Sequence, residues 1–67
     1  MRNVLRVLRA ERGWSQEELG RRLGVSRQAI NALETDKHDP SLELAYRLAA
    51  LFERPVESIF ENPFKSA

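Results

Sequence analysis

One stretch in the first half of the chain limits the possible folds more than any other feature. Ser15-Gln16-Glu17-Glu18 opens a helix, Gly24-Val25 ends it, and Ser26 opens another at once. A serine hydroxyl at a helix start accepts a bond from the amide three residues on, and a glutamate at that third position returns one to the cap, so Ser15 and Glu18 form a capping box. Trp14 and Leu19 hold the outer and inner positions of a hydrophobic staple, and Val25 and Ile30 repeat that spacing around Ser26. Leu19 and Leu23 make the buried stripe of the first of these helices, and Gly24 supplies the left-handed residue that stops it. The second runs over about residues 27–34. A connection this short holds the two axes far from antiparallel.

The remaining punctuation predicts three more helices and no strand. Val4, Leu5, Val7 and Leu8 recur at helical spacing until Gly13, which places helix one at about residues 3–12. Thr35 to Pro40 is a polar turn, since proline turns its predecessor away from helical geometry. Ser41 then caps a fourth helix marked by Leu42, Ala45, Leu48, Ala49 and Phe52. Val56, Ile59 and Phe60 mark a short fifth one, with Pro55 near its first turn. The fold class is therefore all-α with five helices. The 67 residues leave room for one domain, 1–67, with a core of about 3–60 and a tail at 61–67 that has no period. The absence of cysteine removes disulfides and thiolate metal sites, and a cytoplasmic location is the default. No apolar run is long enough for a signal peptide or a membrane span.

A net charge of +1 conceals an asymmetry: residues 1–38 carry eight Lys or Arg against five Asp or Glu, while residues 39–67 carry three against five. A basic half suits phosphate contact. Two capped helices across Gly24-Val25 form a helix-turn-helix, in which the N-terminal half of the second helix enters the major groove of double-stranded DNA. There Arg27, Gln28 and Asn31 share the solvent side while Ala29, Ile30 and Leu33 face inward. An amide side chain can pair with adenine, and arginine can pair with guanine or hold a phosphate. His38, between Asp36 and Asp39, lacks the ligand set of a zinc site, and no nucleophile or phosphate loop accompanies it. No catalytic residue, metal, cofactor or small-molecule effector site is expected. RNA or single-stranded nucleic acid is disfavoured, because aromatic and basic residues are not interleaved.

From Trp14-Ser15-Gln16-Glu17-Glu18-Leu19 through Leu23-Gly24-Val25-Ser26-Arg27-Gln28, Ile30-Asn31, Leu33-Glu34 and Lys37 to Pro40-Ser41-Leu42, the chain resembles the Cro and phage-repressor (Xre-type) family of helix-turn-helix regulators, in its compact form. The likeness spans roughly residues 4–60 and implies a lambda-repressor-like five-helix domain with the helix-turn-helix at helices two and three. It implies phosphate contacts from Gln16 and Ser26, base reading by Gln28 and Asn31, an intermediate role for Arg27, a backbone contact from Lys37, and a structural ion pair between Arg9 and Glu34. Two positions depart from the family pattern. Gly20 replaces the usual alanine, at a cost of up to about 1 kcal/mol of helix propensity, and Asp36 replaces a common glycine. Apolar residues at Val56, Ile59, Phe60 and Phe64 suggest a homodimer interface. The expected function is a DNA-binding transcriptional regulator, a repressor on a partly palindromic operator. The alternative is an antitoxin-type interaction module that also regulates its own operon.

Overall fold

The computed structural model describes residues 1–64. Five helices follow one another: α1 (Leu5–Glu11), α2 (Gln16–Leu23), α3 (Arg27–Glu34), α4 (Leu42–Phe52) and α5 (Val56–Ile59). Three of them start at serines whose hydroxyls accept backbone bonds, Ser15 from Glu18 at 3.0 Å, Ser26 from Ala29 at 3.1 Å and Ser41 from Leu44 at 3.1 Å. Each such cap contributes about 1 kcal/mol. The box at Ser15 is only half made. The Glu18 carboxylate turns along its own helix and pairs with Arg21 at 3.2 Å and Arg22 at 2.9 Å, because residues three and four ahead lie on its side of the helix.

The α2–α3 turn closes on backbone contacts. Gly24 is left-handed, with φ +74°, and the Val25 amide donates back to the Gly20 carbonyl at 2.9 Å. A Cβ added to Gly20 would lie 2.6 Å from the Val25 carbonyl oxygen, far inside contact distance. The glycine that weakens α2 by propensity is thus the residue that lets the turn close this tightly.

All five helices feed one core: Leu5 and Leu8 from α1, Leu19 and Leu23 from α2, Ile30 and Leu33 from α3, Leu48 and Phe52 from α4, and Ile59 from α5, with Phe60 after it. Trp14 packs on its edge, 5.8 Å from Phe52 between ring centroids, with the Arg22 guanidinium 4.1 Å above its ring. The staple position of Trp14 is therefore also a cation–π site. The stripe expected of helix one is narrower in the structure. Val4 and Val7 are exposed, since α1 begins at Leu5 and turns only Leu5 and Leu8 inward. Leu42, in the first turn of α4, is exposed as well.

The C-terminal expectation needs a larger correction. Helix α5 stops at Ile59, and Phe60 is extended, forming an antiparallel bridge with Asn3. Two backbone bonds flank the bridge, from the Val4 amide to the Ile59 carbonyl at 3.0 Å and from the Glu61 amide to the Arg2 carbonyl at 2.8 Å. Ile59 and Phe60 are buried in the protein's own core and Val56 is half-buried against it. These residues cover the N-terminal helix. Of the four proposed interface residues only Phe64, 91% exposed, stays outside.

Candidate nucleic-acid interface

Helix α3 divides cleanly into two faces. Ile30 and Leu33 are buried, and Arg27, Gln28 and Asn31 are exposed opposite them. These three side chains, with Gln16 from the start of α2, line one recess where the two helices meet. Ser26 is exposed at the head of α3, its hydroxyl already engaged as the cap. Lys37 lies beyond the other end. Its backbone amide is pinned to the Ala32 carbonyl at 2.9 Å, and its side chain is exposed and unpaired among the described residues. Asp36 takes the left-handed conformation, φ +63°, where the family pattern has glycine. Aspartate tolerates that region better than most residues. Its carboxylate accepts a long bond of 3.4 Å from Asn3.

Behind this face lies an ion pair that ties α1 to α3. Arg9 Nε donates to Glu34 Oε2 at 2.7 Å and Arg9 Nη2 to Glu34 Oε1 at 3.2 Å, a two-pronged contact. Arg9 Nη1 also donates to the Trp14 carbonyl at 2.8 Å. The side chains are 16% and 3% exposed, so this is not a surface pair. The Glu34 bond raises the Arg9 pKa above the ordinary arginine range, burial opposes it, and the carboxylate charge adds to the rise. The guanidinium stays charged at any working pH.

Gln16 reaches from the start of α2 toward α3. Its Nε2 donates to Glu34 Oε1 at 3.1 Å and to Asn31 Oδ1 at 3.2 Å. An amide nitrogen has two protons, one meeting the part-buried Glu34 carboxylate and the other Asn31 at the surface. Glutamine at this position links α2 to α3.

Two contributors escaped the sequence reading. Asn3 Nδ2 donates to the Leu33 carbonyl at 2.8 Å and to the Met1 carbonyl at 3.0 Å, while its Oδ1 accepts from the Leu5 amide at 3.1 Å. It caps the start of α1 and holds the C-terminal end of α3. Asparagine just before an apolar helical run is a recognisable cap signal, but the partner thirty residues away has none. Arg47 Nη1 donates to the Leu23 carbonyl at 3.1 Å, satisfying the C-terminal end of α2 from α4. Its Nη2 also lies 3.6 Å from Glu43 Oε1, one turn earlier on α4. Among the described residues, no group of three His, Cys, Asp or Glu could hold a metal ion, and no helix is long and apolar enough to cross a membrane.

A helix pair joined by a closed three-residue turn, with a polar recess at the head of the second helix, defines a helix-turn-helix DNA-binding domain. Comparison with known proteins agrees. Residues 5–59 match the family described as Helix-turn-helix. An uncharacterised HTH-type transcriptional regulator of Methanothermobacter thermautotrophicus is 51% identical over 61 residues, covering 90% of this chain and 88% of that protein. Proteins described in the same words from Methanocaldococcus jannaschii and Bacillus subtilis are 48% and 42% identical over 60 residues, each covering 90% of this chain and 91% of the relative. A hypothetical transcription factor from Neisseria superposes with a TM-score of 0.70 at 32% identity, over 79% of this chain and 60% of that one. The chain belongs to the Cro and phage-repressor type of helix-turn-helix family, whose members are DNA-binding transcriptional regulators.

Proposed function

We propose that this regulator is a repressor that occupies a partly palindromic operator as a homodimer, one copy per half-site. The chain acts as one domain, in the cytoplasm, by binding alone, with neither catalysis nor a small-molecule effector. The observation that carries the reading is the exposed trio Arg27, Gln28 and Asn31 at the head of α3, standing on the buried Ile30 and Leu33. The buried residues hold the helix rigidly, and the trio offers groups that base edges in the major groove recognise. Ser26 and Lys37, at opposite ends of α3, flank the trio as backbone contacts that set its register. Occupancy of a promoter is sufficient for repression, whereas activation needs a particular contact with polymerase. With Ile59 and Phe60 turned inward, the dimer contact rests on Phe64 and the chain around it.

Selection of bound duplexes from a random pool tests this directly. An inverted repeat should emerge, its half-sites about 10–10.5 bp apart or at multiples of that spacing. A promoter carrying that repeat should lose transcription in vitro when the protein is added. A pool that remains random after repeated rounds rejects the reading, and a rise in transcription rejects repression.

A further inference from the structure

Arg9, Glu34, Gln16 and Asn31 form a hydrogen-bond relay with a fixed direction, and we infer that Gln16 is a positioning residue that sets how Asn31 meets a base. The inference rests on the reading of α3 as the base-reading helix. The direction follows from donor and acceptor chemistry. The Arg9 guanidinium only donates, so the Glu34 carboxylate accepts from it at 2.7 and 3.2 Å. A carboxylate has no proton to give, so the Gln16 group 3.1 Å from Glu34 Oε1 is its amide nitrogen. That nitrogen also lies 3.2 Å from Asn31, and the atom that meets it must accept, so Asn31 turns Oδ1 inward. An asparagine amide on an exposed helix face ordinarily flips between two orientations of similar energy. Here a part-buried pair between α1 and α3 selects one of them.

The consequence falls on the groove. With Oδ1 held toward Gln16, Asn31 Nδ2 and its two protons face away from the relay, without a partner among the described residues. A group presented donor-first suits guanine best, because its major-groove edge offers two acceptors and no donor. Cytosine suits it least, since that base presents a donor. Gln16 thereby contributes to specificity without touching a base.

Duplex selection with the full chain and three variants tests the relay. The parent should enrich a motif that excludes cytosine at one position per half-site, and Asn31→Ala should erase the preference there alone. Gln16→Met keeps the length of the side chain and removes the donor, so cytosine should re-enter at that position, its discrimination falling about fivefold or more for a contact worth about 1 kcal/mol or more. Gln16→Lys restores a donor to both Glu34 and Asn31 and should restore the exclusion of cytosine, which a role confined to stability would not do. Thermal unfolding of each variant shows that it is folded, and if Gln16→Met does not fold, Gln16→Leu, which also lacks the donor, takes its place. A parent motif that is unchanged at every position by Gln16→Met overturns the relay and leaves the DNA-binding reading standing. Loss of affinity for all duplexes alike in Asn31→Ala overturns it too, placing Asn31 on the backbone. Failure of the parent to enrich any motif overturns both.

Discussion

Arg9→Ala removes every donor to the Glu34 carboxylate except the Gln16 amide, while the carboxylate stays 3% exposed. Stranding a buried charge costs about 3–5 kcal/mol, and the near-complete burial of Glu34 puts Arg9→Ala at the upper end. Glu34→Ala strands a guanidinium that is 16% exposed and keeps the Trp14 carbonyl as a partner, so its cost belongs at the lower end, roughly 3 kcal/mol. For a chain of this length, with total stability of order 3–10 kcal/mol, either loss is large. The double substitution Arg9→Ala/Glu34→Ala leaves no orphan charge and should cost clearly less than the sum. Arg9→Met/Glu34→Leu, which refills the volume with apolar groups, should come within about 1–2 kcal/mol of the parent. The raised Arg9 pKa stabilises the fold below the unfolded arginine value, and that stability is lost only as pH rises through the folded one. Urea unfolding followed by circular dichroism measures all four. Two single variants within about 0.5 kcal/mol of the parent, or strict additivity, would refute the buried-pair argument.

Other expectations rest on single sites. Gly20→Ala should destabilise the fold despite gaining up to about 1 kcal/mol of helix propensity, because the new methyl meets the Val25 carbonyl at 2.6 Å; a higher Tm would show that the turn has room. Glu53 ends α4 at φ +53°, so Glu53→Gly should raise stability by about 1 kcal/mol by relieving a left-handed residue, and a fall in the urea midpoint contradicts this. Light scattering over a concentration series should show a dimer that Phe64→Ser weakens, while the Tm at concentrations low enough for both to be monomeric stays the same, since Phe64 is 91% exposed; a strictly monomeric parent, free and on DNA, rules the dimer out.

The helices were legible because each is announced by local chemistry. Ser15, Ser26 and Ser41 stand where caps must stand, Gly24 where a left-handed residue must, and the residues between obey one period. Long-range partners have no such signal. Apolar residues at Val56, Ile59 and Phe60 read equally well as an outer face or an inner one, and only the bridge from Phe60 to Asn3 decides the matter. Gly20 looked like a weakness because propensity is a property of one helix, whereas its reason lies in the next turn. At the candidate site, the exposed trio on α3 was visible from spacing. The inward turn of Gln16 was not, because it depends on the position of Glu34, eighteen residues away, against α2.

Gln28 and Lys37 offer the most direct test of the central claim that the head of α3 reads bases. Both are exposed, but Gln28 lies in the first turn of α3, the proposed base reader, and Lys37 follows its end, the proposed backbone contact. Titration of Gln28→Ala and Lys37→Ala against the selected operator and a scrambled duplex, at several salt concentrations, separates the two roles. Gln28→Ala should cost about 1–3 kcal/mol on the operator and little on the scrambled duplex, whereas Lys37→Ala should weaken both alike and reduce the salt slope by about one unit. Equal loss on both duplexes from Gln28→Ala, or no loss on either, would contradict the account.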